Sequence, residues 1–116
     1  WLAYKMSGAL HLEMGEHGAA LEETEHALAM GATTPGIYNN LGIAHIGLGQ
    51  FDEGVTNFRH GLELAPDRAD IWFNLGAALD MTGLRSQAIT ALHKALALDA
   101  KYVRAVQLLR QLEQNP

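Results

Sequence analysis

A spacing of 34 residues constrains this chain more than any other feature. Laid against itself at that offset, the sequence brings Gly8, Gly42 and Gly76 into register, together with Gly15, Gly49 and Gly83, and Leu28, Leu62 and Leu96. Further columns keep size or chemistry: Tyr4, Tyr38 and Trp72; Ala20, Gly54 and Ala88; Ala27, Gly61 and Ala95; Leu21, Val55 and Ile89. A unit of this length cannot bury its apolar face alone, so successive copies must stack.

Each copy reads as helix, turn, helix. In the second, Ile37 to Leu48 forms the first helix, "GLGQ" interrupts it, and Phe51 to Leu64 forms the second. "APD" at residues 65–67 ends the unit, because proline cannot continue a helix. The third copy turns at "MTGLR" and ends near Asp99. A lone helix over Lys101 to Gln114 follows, and Arg104, Gln107, Arg110, Gln111 and Gln114 give it the polar outer side of a cap. The expected fold is all-α: one α-solenoid domain of three helix-turn-helix repeats, over 1–34, 35–68 and 69–102, with a capping helix over 101–114. Helical patterning is already under way at Trp1 with no N-cap before it, so the chain reads as a fragment of a longer protein.

At about 100° per residue, Tyr38, Leu41, Gly42 and His45 share one stripe of their helix. Gly42 on that stripe admits a close second helix, opposite small residues at Gly54 and Gly61. Gly49 supplies the left-handed conformation that closes the turn. Glycines at 54 and 61 also weaken a helix by about 0.8–1 kcal/mol each relative to alanine where the helix is exposed. On that ground the second helix of the middle unit is expected to be softer than its counterpart in the third.

The remaining composition serves mainly to exclude. The 8 basic and 13 acidic side chains give −5, against a nucleic-acid partner, whose phosphates require basic patches. No apolar run approaches the ~20 residues of a membrane span, and nothing resembles a signal peptide. Without cysteine there is neither a disulfide nor a thiolate metal site. "GLGQFDEG" lacks the Lys-Ser/Thr of a phosphate loop and follows no strand. None of the six histidines falls in an HxxxH arrangement. His11 and His45 share an inward column and read as packed core, whereas His26 and His60 read as solvated. Glu22, Glu23 and Glu25 in "LEETEH" read as a solvated face. No catalytic set, cofactor or metal is expected, and the chain does not read as an enzyme. A cytoplasmic location is expected, with the periplasm as the alternative.

The pattern resembles the tetratricopeptide repeat family. Its aromatic, Leu-Gly, small, aromatic, small, proline signature stands here as Tyr38, Leu41, Gly42, Gly54, Phe58, Gly61 and Pro66. In the third unit it is Trp72, Leu75, Gly76, Ala88, Leu92 and Ala95, with Ala100 in place of proline. The first unit diverges most, having Ser7 for leucine and Thr24 for the aromatic. The resemblance implies a superhelix whose first helices line a concave groove that holds a peptide or partner helix.

The groove stripe contains Leu2, Lys5, Met6, Ala9, Leu12 and Glu13 in the first unit. In the second it contains Gly36, Asn39, Asn40, Ile43, Ile46 and Gly47, and in the third Asp70, Phe73, Asn74, Ala77, Asp80 and Met81. Arg104 on the last helix is counted with them. The stripe is unusually apolar, and Phe73 in its middle reads as an anchor for a partner side chain. Family members that grip the C-terminal carboxylate of heat-shock chaperones use a clamp of basic and amide side chains. Lys5 and Asn40 match that clamp. Ala9 does not, and Asp70 and Asn74 stand where a lysine and an arginine belong, so a carboxylate would meet Asp70 with repulsion. The repeats of O-linked N-acetylglucosamine transferase offer a better parallel, an asparagine ladder bonding the main chain of an extended peptide. The matching column is Met6, Asn40 and Asn74. An amide carries both donors and an acceptor, so it satisfies a peptide unit whatever its side chain. The alternative role for those amides is a bond between repeats that only fixes the superhelix, and Asn39, toward the groove edge, reads equally as solvated. The expected function is binding of a protein segment, with two alternatives: a self-associating platform, and the substrate-presenting arm of a larger enzyme such as a glycosyltransferase.

Overall fold

The computed structural model describes residues 18, 19, 21–31 and 33–114. Helical backbone over 21–29 forms α1, followed by α2 (Pro35–Gly47), α3 (Phe51–Leu64), α4 (Ala69–Met81), α5 (Arg85–Leu98) and α6 (Val103–Gln114). The described residues contain no strand. Most of the first repeat, including Lys5, lies outside them.

Local chemistry sets the boundaries. Thr34 caps α2, its hydroxyl oxygen accepting from the Ile37 amide at 3.3 Å, and Pro35 occupies the first turn, where a missing N–H costs nothing. The helix thus starts two residues before the Ile37 expected from hydrophobic patterning. Its end and the end of α4 are built alike. Gly49 and Gly83 take φ of 79° and 80°, and the following amides, Gln50 and Leu84, donate back to the carbonyls of His45 and Leu79 at 2.8 and 2.9 Å. A left-handed glycine there costs no steric strain and satisfies carbonyls that the helix end leaves over.

Within each repeat the helices pair as α2 with α3 and α4 with α5. The repeats stack through α3 on α4, and α6 closes the row against α5. The first helices of successive units, α2, α4 and α6, also touch one another and form one face. The core runs through Phe58, Leu62, Ile71, Leu75, Leu79 and Leu92 to Ala105, Leu109 and Leu112. The last three lie on one side of α6, and its opposite side is exposed at Arg104, Gln107, Arg110, Gln111 and Gln114. That is the form of a cap: an apolar stripe toward the last repeat and polar groups toward water.

The signature glycines act by their lack of volume. A Cβ at Gly42 would lie 2.6 Å from Cδ1 and 2.8 Å from Cζ of the buried Phe58 ring. At Gly76 it would meet Leu92 at 3.0 Å. Gly54 sits under Ile46, 2.6 Å from where its Cβ would be, and 3.1 Å from the Gly42 carbonyl. Gly61 lies between α2 of its own repeat and α4 of the next, with the Pro35 carbonyl and Ile71 both at 3.4 Å. Gly54 and Gly61 are therefore buried, which corrects the premise of exposed glycines behind the expected softness of α3; hydrogen exchange of α3 against α5 measures the softness itself. Gly54 is a contact point between helices, and Gly61 has room for a methyl group at ordinary contact distance.

Gly42→Ala is expected to lower unfolding free energy by about 1–3 kcal/mol, since the Phe58 ring must shift. Gly61→Ala is expected to raise it by about 0.5–1 kcal/mol, by stiffening the helix without a clash. Urea titrations of the two variants check both signs.

Candidate peptide-binding groove

The face formed by α2, α4 and α6 holds a cleft of about 210 Å³. Its lining comprises Ile43 and Ile46 from α2, Phe58 from α3, Phe73, Asn74, Ala77, Ala78 and Met81 from α4, and Arg104 from α6. Six of the positions singled out in the sequence, Ile43, Phe73, Asn74, Ala77, Met81 and Arg104, thus come together around one depression. Lys5 falls outside the described residues, and Asn39, Asn40 and Asp70 are not part of the lining.

Ile43 and Met81 are 41% and 56% exposed, an apolar surface that remains open to solvent. Ile46 is partly buried and packs over Gly54. Phe73 corrects the reading of it as an exposed anchor: it is 6% exposed, because Tyr102 stacks on it with ring centroids 5.3 Å apart and the Arg104 guanidinium lies 4.7 Å from its centroid. The capping helix and the segment before it thus cover the ring. Sequence inspection missed Tyr102 because it lies between two helices, outside any amphipathic pattern.

The asparagines pair differently from the 34-residue column. Asn74 Nδ2 donates to Asn39 Oδ1 at 2.9 Å, linking α4 to α2, while Asn40 is exposed. The amide partner is therefore Asn39, which had read as a groove-edge or solvated residue. Stacked repeats are offset as well as translated, so a side chain reaches a neighbour that is not in its own column. The bond uses one N–H of Asn74 and one lone pair of Asn39. Among the described residues, the carbonyl of Asn74 and the amino group of Asn39 have no further partner.

Asp70 corrects another expectation. Its carboxylate accepts a fork of two bonds from Arg68, Nε to Oδ1 at 2.9 Å and Nη2 to Oδ2 at 2.7 Å. That pairing, with the attraction of the guanidinium charge, outweighs burial and holds the carboxyl below the usual range for aspartate. The repulsion that Asp70 would present to an anion is compensated at its source. The signal was legible as Arg-x-Asp across the start of α4, where Arg68 occupies the N-cap position.

The histidines are also placed. His45 is half-buried and not packed core: its Nδ1 lies 2.7 Å from Gln50 Oε1 across the turn. His60, read as solvated, lies against the Tyr38 ring with centroids 5.4 Å apart and within 3.7 Å of Glu63. Lys94, in the same column as His60, stands 5.8 Å from the Trp72 centroid, and Trp72 Nε1 donates to the Pro66 carbonyl at 2.9 Å. Tyr38 and Trp72 thus each carry a side chain from the same position of the following helix. Glu22, Glu23, Glu25 and His26 are exposed. Among the described residues, no three His, Asp or Glu side chains gather in a metal-binding arrangement, and no helix is long and apolar enough to cross a membrane.

The two helix pairs, their glycine contacts and their shared groove define an array of tetratricopeptide repeats. The family profile of that name matches residues 35–68 and 69–102, more than half of the sequence, and the chain belongs to the tetratricopeptide repeat family. In structure it is similar to the first tetratricopeptide domain of Spaghetti (RPAP3) bound to the HSP90 peptide SRMEEVD. That match has a TM-score of 0.82 at 18% identity, over 97% of this chain and 90% of that one. The first such domain of human RPAP3 gives a TM-score of 0.83 at 18% identity, over 97% and 89%. MamA gives 0.82 at 21% identity, over 90% of this chain and 61% of its own. At these identities the likeness is one of fold. A search of curated protein sequences finds no match.

The Arg68–Asp70 fork yields a pH dependence of known sign. A carboxyl whose value is lower folded than unfolded adds stability above its unfolded value and loses it as pH falls through the folded one. Both partners are exposed, at 39% and 41%, so solvent screening limits the contribution to about 1 kcal/mol or less. Asp70→Asn is expected to lower the urea midpoint slightly near neutral pH, and the gap from wild type is expected to close in acid as the Asp70 carboxyl protonates. Asn39→Ala and Asn74→Ala are expected to cost about 0.5–1.5 kcal/mol each and to be less than additive together, as a double-mutant cycle will show.

Proposed function

We propose that this chain is a protein-interaction module that holds a segment of another protein in the cleft between α2, α4 and α6. The observation that carries this reading is the pairing of exposed apolar side chains, Ile43 and Met81, with the amide of Asn74 and the guanidinium of Arg104 around one depression. Apolar surface of this kind gains free energy when a partner covers it, and a few polar groups around it fix orientation. Structural neighbours support the reading. The Spaghetti domain is bound to an HSP90 peptide, and the second tetratricopeptide domain of human RPAP3 is in complex with the HSP70 peptide SGPTIEEVD.

The asparagines contribute to main-chain recognition in this proposal. The Asn39–Asn74 pair leaves one acceptor and one amino group, the complement of a peptide unit, and exposed Asn40 lies beside it on α2. Each bond made to a partner backbone is worth about 1 kcal/mol net. The first use of this pair is internal, so its effect on binding comes together with a stability cost, and Asn40 is the cleaner probe of the ladder.

Capture of partners on the immobilised chain, identified by mass spectrometry and then titrated, tests the reading. Ile43→Asp with Met81→Asp is expected to weaken such a partner at least about tenfold. Both positions are exposed, so the melting temperature is expected to stay within a few degrees of wild type. Retained affinity in the double variant would place the partner elsewhere. Sedimentation of the chain alone separates this reading from a self-associating platform, which would gain mass with concentration.

A further inference from the structure

We infer that Arg104 makes the cleft selective for a segment carrying an aspartate or glutamate side chain beside a large apolar anchor. This rests on the reading of the cleft as a segment-binding site. Arg104 is the one charged side chain among the described residues of the lining. It has no carboxylate partner among the described residues, whereas Arg68, at the start of α4, is paired with Asp70. A cation beside an apolar floor leaves an incoming apolar side chain with one unmatched charge, and a carboxylate next to that side chain supplies the match.

The guanidinium is also placed before any partner arrives. It stands 4.7 Å from the Phe73 centroid, and Phe73 is held in turn by Tyr102. Stacking of this kind restricts a long side chain, so less freedom is lost when a carboxylate binds the planar fork. Sequence charge sharpens the choice. The chain carries −5 overall, so a uniformly acidic segment is repelled, while one acid directed to the Arg104 guanidinium is attracted. Exposed Ile43 and Met81 leave the cleft open, so nothing in it demands a chain terminus, and the carboxylate is that of a side chain.

Panning a phage-displayed random peptide library on the whole chain and on Arg104→Glu tests this. Wild type is expected to enrich peptides with Asp or Glu adjacent to Leu, Ile, Met or Phe. Arg104→Glu is expected to keep the apolar residue and replace the acid with Lys or Arg. In synthetic copies of the selected peptides, changing the acid to its amide is expected to weaken wild-type binding about tenfold and to leave Arg104→Gln unaffected. Circular dichroism melts confirm that both variants fold. Apolar peptides without an acid, or binding lost on amidating the peptide C-terminus but not on neutralising the side chain, would overturn the role of Arg104 and leave the segment-binding cleft standing. Selected peptides that bind Ile43→Asp with Met81→Asp as well as wild type, or no enrichment at all, would overturn both.

Discussion

Everything in this fold depends on how closely two helix backbones approach inside each repeat. At Gly42 the Phe58 ring occupies the space of an absent side chain, and at Gly76 Leu92 does the same. A large apolar group on one helix filling a gap on the other fixes both distance and rotation, because a packed interior tolerates neither a void nor an overlap. Rotation then determines what faces outward. With Leu41 and Gly42 turned toward α3, Ile43 points to the groove; with Leu75 and Gly76 turned toward α5, Asn74 and Ala77 do the same. The groove is thus a consequence of the glycine contacts rather than an independent design.

Stacking gives the second level of order. Buried Ile71 packs over Gly61 of the preceding unit, and the Asn74–Asn39 bond ties the first helices together on the groove side. An apolar contact on one side and a hydrogen bond on the other hold the angle between repeats, which in turn sets the width of the cleft. The terminal helix does more than shield the last repeat. With Tyr102 just before it, it covers Phe73 through Arg104 and turns a would-be hydrophobic anchor into the support for a cation.

Residue by residue, the fold was largely legible in the sequence and the groove only partly. The 34-residue columns placed the helices of the second and third units and the turns at Gly49 and Gly83, since a local pattern suffices for elements that are themselves local. Thr34-Pro35 extended α2 beyond its apolar pattern because capping geometry overrides hydrophobic spacing at a helix end. The columns also identified Ile43, Ala77 and Met81 as groove-facing. They did not give the partner of Asn74, the cover of Phe73 or the pairing of Asp70, which are Asn39, Tyr102 and Arg68, residues outside their columns.

By itself, the sequence determined a stack of helical pairs: repeat length, small residues at helix contacts, turn glycines and an amphipathic last helix leave little freedom in what each segment forms. Only the tertiary structure decided which amide meets which, which aromatic is covered and which charges pair. Helix faces follow from a fixed rotation per residue and are readable one unit at a time. Contacts between units depend on the tilt and offset of the stack, which arise from all the packed side chains together and are written in no single column.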